Sequence, residues 1–365
     1  MNPSEDTKGI LALSLVKGMG PVAFKRLLET LGSVSNILSA SHGEFSKAGR
    51  IGVRYLDLKD ASIFEKADRE IERARKAGVR IMSCRDEDYP SALREIYDPP
   101  VVLYVWGHLP SDEQVKVAVV GSRMASFYGQ KMARMIARDL AAAGAAVVSG
   151  LALGIDTAAH EGALSAGGVT LAVLGGGINK LYPSENRKMA DTIVRKGAIL
   201  SEYPLEMDPR PGYFPVRNRI ISGLSCAVCV VEARQKSGAL ITADAALEQG
   251  KDVFAVPGNA DSSRSGGTNG LLRQGAKWAT CAGDILEELG IKKPVSTPDH
   301  SLSGEEKTIF SLLEGEPLHV DQLVESSGIH TRNVISALSV MEIKGLVRQL
   351  PGNWYIRISA QEIQT

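Results

Sequence analysis

The 365-residue chain has no excess of either charge: 42 lysines and arginines stand against 42 aspartates and glutamates. Net charge therefore predicts no polyanionic partner, and any such binding has to come from local clustering of cations. Cysteine is scarce, with four in all. Cys226 and Cys229 have CxxC spacing, but no second pair and no histidine partner follows. They sit in an apolar strand, CAVCVV, and read as buried inert thiols rather than a metal or redox site. No His/Cys/Asp cluster has metal-ligand spacing. No apolar run reaches about 18 residues, so no membrane-spanning helix is expected. The opening residues, MNPSEDTKG, lack the basic-then-apolar pattern of a secretory signal, which points to the cytoplasm. Two nucleotide motifs are also missing. GxxxxGK[ST] does not occur, and the best-placed glycine turn, GSRMAS, is not GxGxxG. No cofactor is expected.

What is present is organised around residues 115–150. Val115–Val120 is a short run rich in β-branched residues, suited to a buried parallel strand. It stops at Gly121-Ser122-Arg123. A helix follows in which Met132, Ile136 and Leu140 recur every four residues, and Ala145–Ser149 is a second strand ending at Gly150. Strand, turn, helix, strand is one βαβ unit. Further apolar strands at Thr170–Leu174, Ala198–Ser201, Ala227–Val231 and Val253–Val256 end in polar or basic loops. In a parallel sheet these ends share one rim, so loops distant in sequence converge on one crevice.

The crevice candidates for nucleic-acid contact are Gly121, Ser122, Arg123, Lys180, Asn186, Arg187, Arg217, Asn218, Arg219, Lys236, Ser237 and Gly238. Guanidinium forks suit phosphate oxygens, and the helix starts offer free N–H groups. Gly175-Gly176-Gly177 precedes Lys180 and removes side-chain bulk, reading as a place where a ligand approaches the backbone closely. Phe127, Tyr128, Tyr182, Tyr213 and Phe214 lie in or beside the rim loops and could stack on bases, although Phe127 and Phe214 read equally well as core. The second strand has no terminal carboxylate to hold a ribose.

Length predicts two or three domains. Residues 1–77 read as a helical domain. Within it LVKGMGPVAFKRLLE fits a helix-hairpin-helix, whose glycine turn serves a phosphate or mere packing equally well. Ile63–Ala77 is a charged amphipathic helix, and Val79–Met82 and Val101–Trp106 are strands that would extend the sheet edge. Residues 78–290 form the α/β sheet domain, and 291–300 (IKKPVSTPDH) a linker. Residues 301–365 read as three helices and a hairpin, the winged-helix arrangement. The candidate recognition helix offers few cations, Arg332 and Lys344, which favours protein docking or weak DNA binding.

GSR at 121–123, SGLALGIDTAAHEGAL at 149–164, LGGGINKLYPSENR at 174–187, FPVRNRIISGLS at 214–225, EARQKSGALITA at 232–243 and VPGN at 256–259 together resemble the bacterial DNA-processing protein A family (DprA/Smf). The resemblance implies an extended Rossmann-like domain flanked by an N-terminal helical (helix-hairpin-helix or SAM-like) domain and a C-terminal winged-helix domain. It implies binding and protection of single-stranded DNA, loading of the RecA recombinase during natural transformation, a homodimer, and DNA contact by Arg123. The other reading the residues allow is a nucleotide or N-glycosidic hydrolase. In it Glu202 and Glu232 would be the acids and Asp156–His160 the base pair, against a simpler role for Asp156 as helix cap and for His160 as a hydrogen-bonded loop anchor. No nucleophile in an activating motif accompanies them, so a non-catalytic binder is the expectation.

Overall fold

The structure, a computed structural model, describes residues 3–49, 51–291, 302, 304–313, 317–343 and 346–357. The chain divides into two compact units, residues 1–292 and 293–365. The first is built on a nine-stranded sheet. Its strands are β1 (Val79–Ser83), β2 (Val102–Gly107), β3 (Lys116–Val120), β4 (Ala146–Ser149), β5 (Thr170–Val173), β6 (Ala198–Ser201), β7 (Ala227–Val230), β8 (Asp252–Ala255) and β9 (Lys277–Trp278). Their spatial order is β1-β2-β6-β5-β4-β3-β7-β8-β9. Only β2 runs against its neighbours. The two strands read ahead of the βαβ unit do extend the sheet edge.

From β3 the chain winds outward through β4 and β5 to β6, then returns to lay β7 on the other side of β3. In open α/β sheets a crevice forms at such a reversal, outside the carboxyl ends of the two strands. The β3–β7 register pairs Val117 with Ala227 and Val120 with Val230, so the loops after Val120 and Val230 leave the sheet at one level.

Side-chain alternation explains the two layers of helices. Val117 and Val119 point to one face and pack with α-helices Phe127–Ala142, Ile155–Ser165 and Ala282–Glu288. Ala118 and Val120 point to the other face, under helices Tyr213–Leu224 and Gly238–Glu248. Both sets are fully or almost fully buried, each valine contributing about 1.5–3 kcal/mol. Six N-terminal helices lie between Glu5 and Ala77, and Ile10, Leu27 and Ile63 share a core with Val79, Tyr104 and Ile199 at the sheet edge. In the hairpin at Gly18, a Cβ would lie 2.3 Å from the Gly52 carbonyl oxygen. That glycine is therefore needed for packing.

The second unit has helices Gly304–Leu312, Val320–Ser327 and Thr331–Ile343, and strands Leu318–His319, Val347–Leu350 and Trp354–Arg357 in one antiparallel sheet. Ile309, Leu323, Val334, Leu338 and Tyr355 form its core. This is the expected winged-helix arrangement. Arg332 is exposed on the third helix. Lys344 and most of the segment read as a linker lie outside the described residues. Among the described residues no helix is long and apolar enough to cross a membrane.

Candidate nucleic-acid interface

A cleft of about 750 Å³ opens at the reversal between β3 and β7. One wall is the loop after β3, Gly121 to Met124; the opposite wall is the loop after β7 with the first turn of helix Gly238–Glu248. Helix Tyr213–Leu224 supplies Phe214, Arg217 and Asn218, and Tyr182 closes one end.

The loop after β3 is fixed by bonds that link it to β7. The Ser122 N–H donates to the Glu232 carbonyl at 2.7 Å, and the Ile155 N–H donates to the Ser122 carbonyl at 3.1 Å. The Glu232 carboxylate accepts the Ser126 N–H at 3.1 Å and also the Ser126 hydroxyl. That hydroxyl in turn accepts the Gly129 N–H at 3.0 Å, capping helix Phe127–Ala142. Arg123 thus projects from an anchored loop. Its guanidinium is exposed and lies 4.8 Å from the centroid of the Phe214 ring, a cation–π contact. Tyr182 stands beside Phe214, with ring centroids 5.9 Å apart.

Arg217 is 4% exposed and forms the cleft floor. Its Nη1 donates to the carbonyls of Gly150, at 2.9 Å, and Val173, and its Nε donates to Asn218 Oδ1 at 3.1 Å. Asn218 Nδ2 donates to the Gly238 carbonyl at 3.1 Å, tying floor to wall. The guanidinium fills the space above Gly150, where a Cβ would lie 2.7 Å from it. A buried cation thus occupies the end of the second strand, where a dinucleotide-binding fold would present a carboxylate. Burial lowers the Arg217 pKa to about 10, with Asp156 acting in the opposite direction. Asp156 accepts the N–H groups of Gly150, at 3.1 Å, and Ala152, at 3.3 Å. It secures the loop before its helix and does not cap the helix end, correcting that expectation. Burial pushes its carboxyl up, while Arg217 pulls it back down.

Of the twelve sequence candidates, Gly121, Ser122, Arg123, Arg217, Asn218, Lys236, Ser237 and Gly238 line this cleft, and four do not. Arg219 is buried against Asp98, at 2.9 Å, and Glu202, at 2.6 Å. Asn186 is buried too, donating to the Leu151 carbonyl at 2.8 Å and the Thr157 hydroxyl at 2.9 Å. Lys180 and Arg187 are exposed away from the cleft, Lys180 near Glu206 at 3.7 Å and Arg187 near Asp191 at 3.7 Å. Arg234 lines the cleft without having been singled out; its signal was a place in the same loop as Lys236. Arg123, Arg234 and Lys236 are exposed and make no ion pair among the described residues.

The three glycines serve a different purpose from the one expected. A Cβ at Gly175 would lie 2.8 Å from the Phe214 ring, one at Gly176 3.0 Å from Pro209, and one at Gly177 2.2 Å from the Leu205 carbonyl. The chain's own 204–214 segment, not a ligand, approaches them, and this delivers Phe214 to the cleft. The aromatic candidates also divide. Phe214 is half-buried under Arg123, whereas Phe127 is 84% exposed and not core. Cys229 is buried, which pushes its thiol up to about 12, but Cys226 is exposed, correcting the reading of two buried thiols.

The candidate catalytic groups are engaged inside the fold. Glu202 pairs with Arg219, and Glu232 anchors Ser126. His160 is wholly buried, its Nδ1 2.7 Å from the Thr170 hydroxyl, and burial lowers its pKa to about 3. Among the described residues no group of three or more His, Cys, Asp or Glu side chains is placed to hold a metal ion.

The family model for DNA recombination-mediator protein A matches residues 80–290, and that for the DprA winged helix domain matches residues 280–353. The chain is 34% identical to Protein Smf of Synechocystis sp., over 95% of this chain and 98% of that protein. It is 46% identical to DNA processing protein DprA of Streptococcus pneumoniae, over 56% of this chain and 73% of that one. The X-ray structure of the Streptococcus pneumoniae protein superposes with a TM-score of 0.64 at 36% identity, covering 79% of this chain and 99% of the other. DNA processing protein A of Helicobacter pylori, solved for its single-stranded DNA binding mode, gives a TM-score of 0.52 at 33% identity, covering 58% of this chain and 95% of the other. With the family model spanning residues 80–290 and a relative 34% identical over 95% of this chain, the chain belongs to the DNA recombination-mediator protein A family, DprA/Smf.

Proposed function

We propose that the cleft binds single-stranded DNA and does not turn it over. The observation that carries this reading is one concavity holding three cations that make no ion pair among the described residues, Arg123, Arg234 and Lys236, around the Phe214–Tyr182 ring pair. Single-strand binding needs a cationic groove for phosphates and flat faces for bases. Few groups in the cleft are free to read base edges, so sequence preference is small. The single-stranded DNA binding of the Helicobacter pylori relative supports the same reading. The engagement of Glu202, Glu232, Asp156 and His160 within the fold supports binding without catalysis.

On this reading the chain is a cytoplasmic homodimer that shields a single strand and passes it to a RecA-type recombinase during recombination or transformation. These finer roles rest on family membership. Fluorescence anisotropy with a labelled oligothymidine tests the core claim. Arg123→Ala is expected to weaken binding about 10-fold or more, the scale of a lost charge-assisted contact of about 1.5–3 kcal/mol. An Arg123→Ala, Lys236→Ala double variant that binds as tightly as the unaltered chain overturns it. Light scattering tests the dimer, and RecA strand exchange on strands coated with a single-strand-binding protein tests the loading step.

A further inference from the structure

The cleft is bordered by a surface that nothing so far explains. At the start of helix Phe127–Ala142, Phe127 is 84% exposed, Met124 71% and Tyr128 50%. None of this is slack chain. Ser126, just before Phe127, is held by Glu232, and the Tyr128 hydroxyl donates to the Pro257 carbonyl at 3.2 Å. A phenylalanine ring on an anchored helix start, almost entirely in water, adds little to the core. Lys131 is exposed four residues further on, on the same side of the helix, and makes no ion pair among the described residues.

We infer that this helix start is a second station for the same DNA strand, with Phe127 stacking one base and Lys131 meeting a phosphate. The inference rests on the reading of the cleft as a single-strand site. Two observations select this occupant. The surface is continuous with the cleft, because Met124 lines the cleft wall directly after Arg123. Along the chain the ring is bracketed by cations, Arg123 before it and Lys131 after it, which complements a strand that alternates bases and phosphates. Stacking on an aromatic face tolerates any base, in keeping with a path of low sequence preference.

The test uses the full-length protein and two labelled oligothymidines, one of about 5 nucleotides, near the short end of the usual site size, and one of about 16, its long end. Phe127→Ala is expected to weaken binding of the longer strand about 10-fold, to leave the shorter unchanged, and to be rescued by Phe127→Trp. Lys131→Ala should lower the salt dependence for the longer strand only. The inference fails if Phe127→Ala binds the long strand normally, if both lengths weaken equally, or if light scattering shows that the substitution changes the oligomeric state, which would make the patch a contact between copies. Arg123→Ala separates the two claims. If it weakens both lengths while Phe127→Ala is silent, the cleft stands and only the second station falls.

Discussion

Salt dependence gives the sharpest test of the cleft, because the structure divides its arginines into two kinds. Arg217 and Arg219 are buried and held by carbonyls or carboxylates. They should release no counterions when DNA binds. Arg123, Arg234 and Lys236 are exposed and make no ion pair among the described residues. At roughly 0.7 per phosphate contact on a single strand, three such cations give a slope of log affinity against log salt near −2. Counting every basic residue of the rim loops would give a slope about twice as steep. Between 50 and 200 mM salt the expected loss for a strand of about 5 nucleotides is therefore ~20-fold. Arg123→Ala should reduce the slope to near −1.4, a loss of ~7-fold over the same range. Anisotropy titrations at four or five salt concentrations measure both. If Arg123→Ala weakens binding with no change of slope, Arg123 acts by positioning Phe214 and not by touching phosphate. A wild-type slope of about −3.5 or steeper would mean that the buried arginines open, and the division fails.

Three further outcomes follow from other parts of the fold. Thr170 donates its hydroxyl proton to the Val147 carbonyl, so His160 Nδ1 carries a proton toward Thr170, and burial keeps the ring neutral. Its pKa, lowered to about 3 from 6.5, makes a contribution that is full above the unfolded value and lost as pH falls from 6.5 toward 3, at about 1.4 kcal/mol per pH unit. Urea denaturation should show a flatter decline in His160→Asn between about pH 6 and 4 than in the unaltered chain, and parallel declines would place the effect elsewhere. Gly175→Ala pushes a methyl into the Phe214 ring and should weaken oligothymidine binding severalfold while costing about 1–3 kcal/mol of stability, read by melting and anisotropy together. Normal affinity in that variant would remove Phe214 from the site. Arg219→Leu strands the buried Glu202 carboxylate and should cost about 3 kcal/mol in denaturant titration, with no change of salt slope.

The strands were legible because β-branched apolar runs broken by glycine or acidic residues admit few other structures, and a common rim followed from parallel order. Arg123, Lys236, Ser237 and Gly238 were legible because they lie in the loops after strands, up to the start of the next helix. Arg217 and Arg219 were grouped as one pair at a helix start, yet they lie within helix Tyr213–Leu224. Residues two apart on a helix point in nearly opposite directions, so one faces the cleft and the other turns to Asp98 and Glu202. The three glycines announced a close approach but not what approaches. Lys180 and Arg187 follow a strand as well and flank Tyr182, which does line the cleft, but their own side chains turn to Glu206 and Asp191. No local pattern distinguishes a ring buried under a helix from one, like Phe127, at the helix's outward first position.

The carboxylate of Glu232 has a consequence for kinetics. By gripping Ser126 it joins the ends of two adjacent strands to the head of a helix, so both walls of the cleft are hydrogen-bonded to each other. The ordering of those walls is complete when the polypeptide folds and is not deferred until a ligand arrives. On the single-strand reading, an incoming strand would meet a ready surface, and capture would be governed by encounter and electrostatic attraction, with little delay for rearrangement.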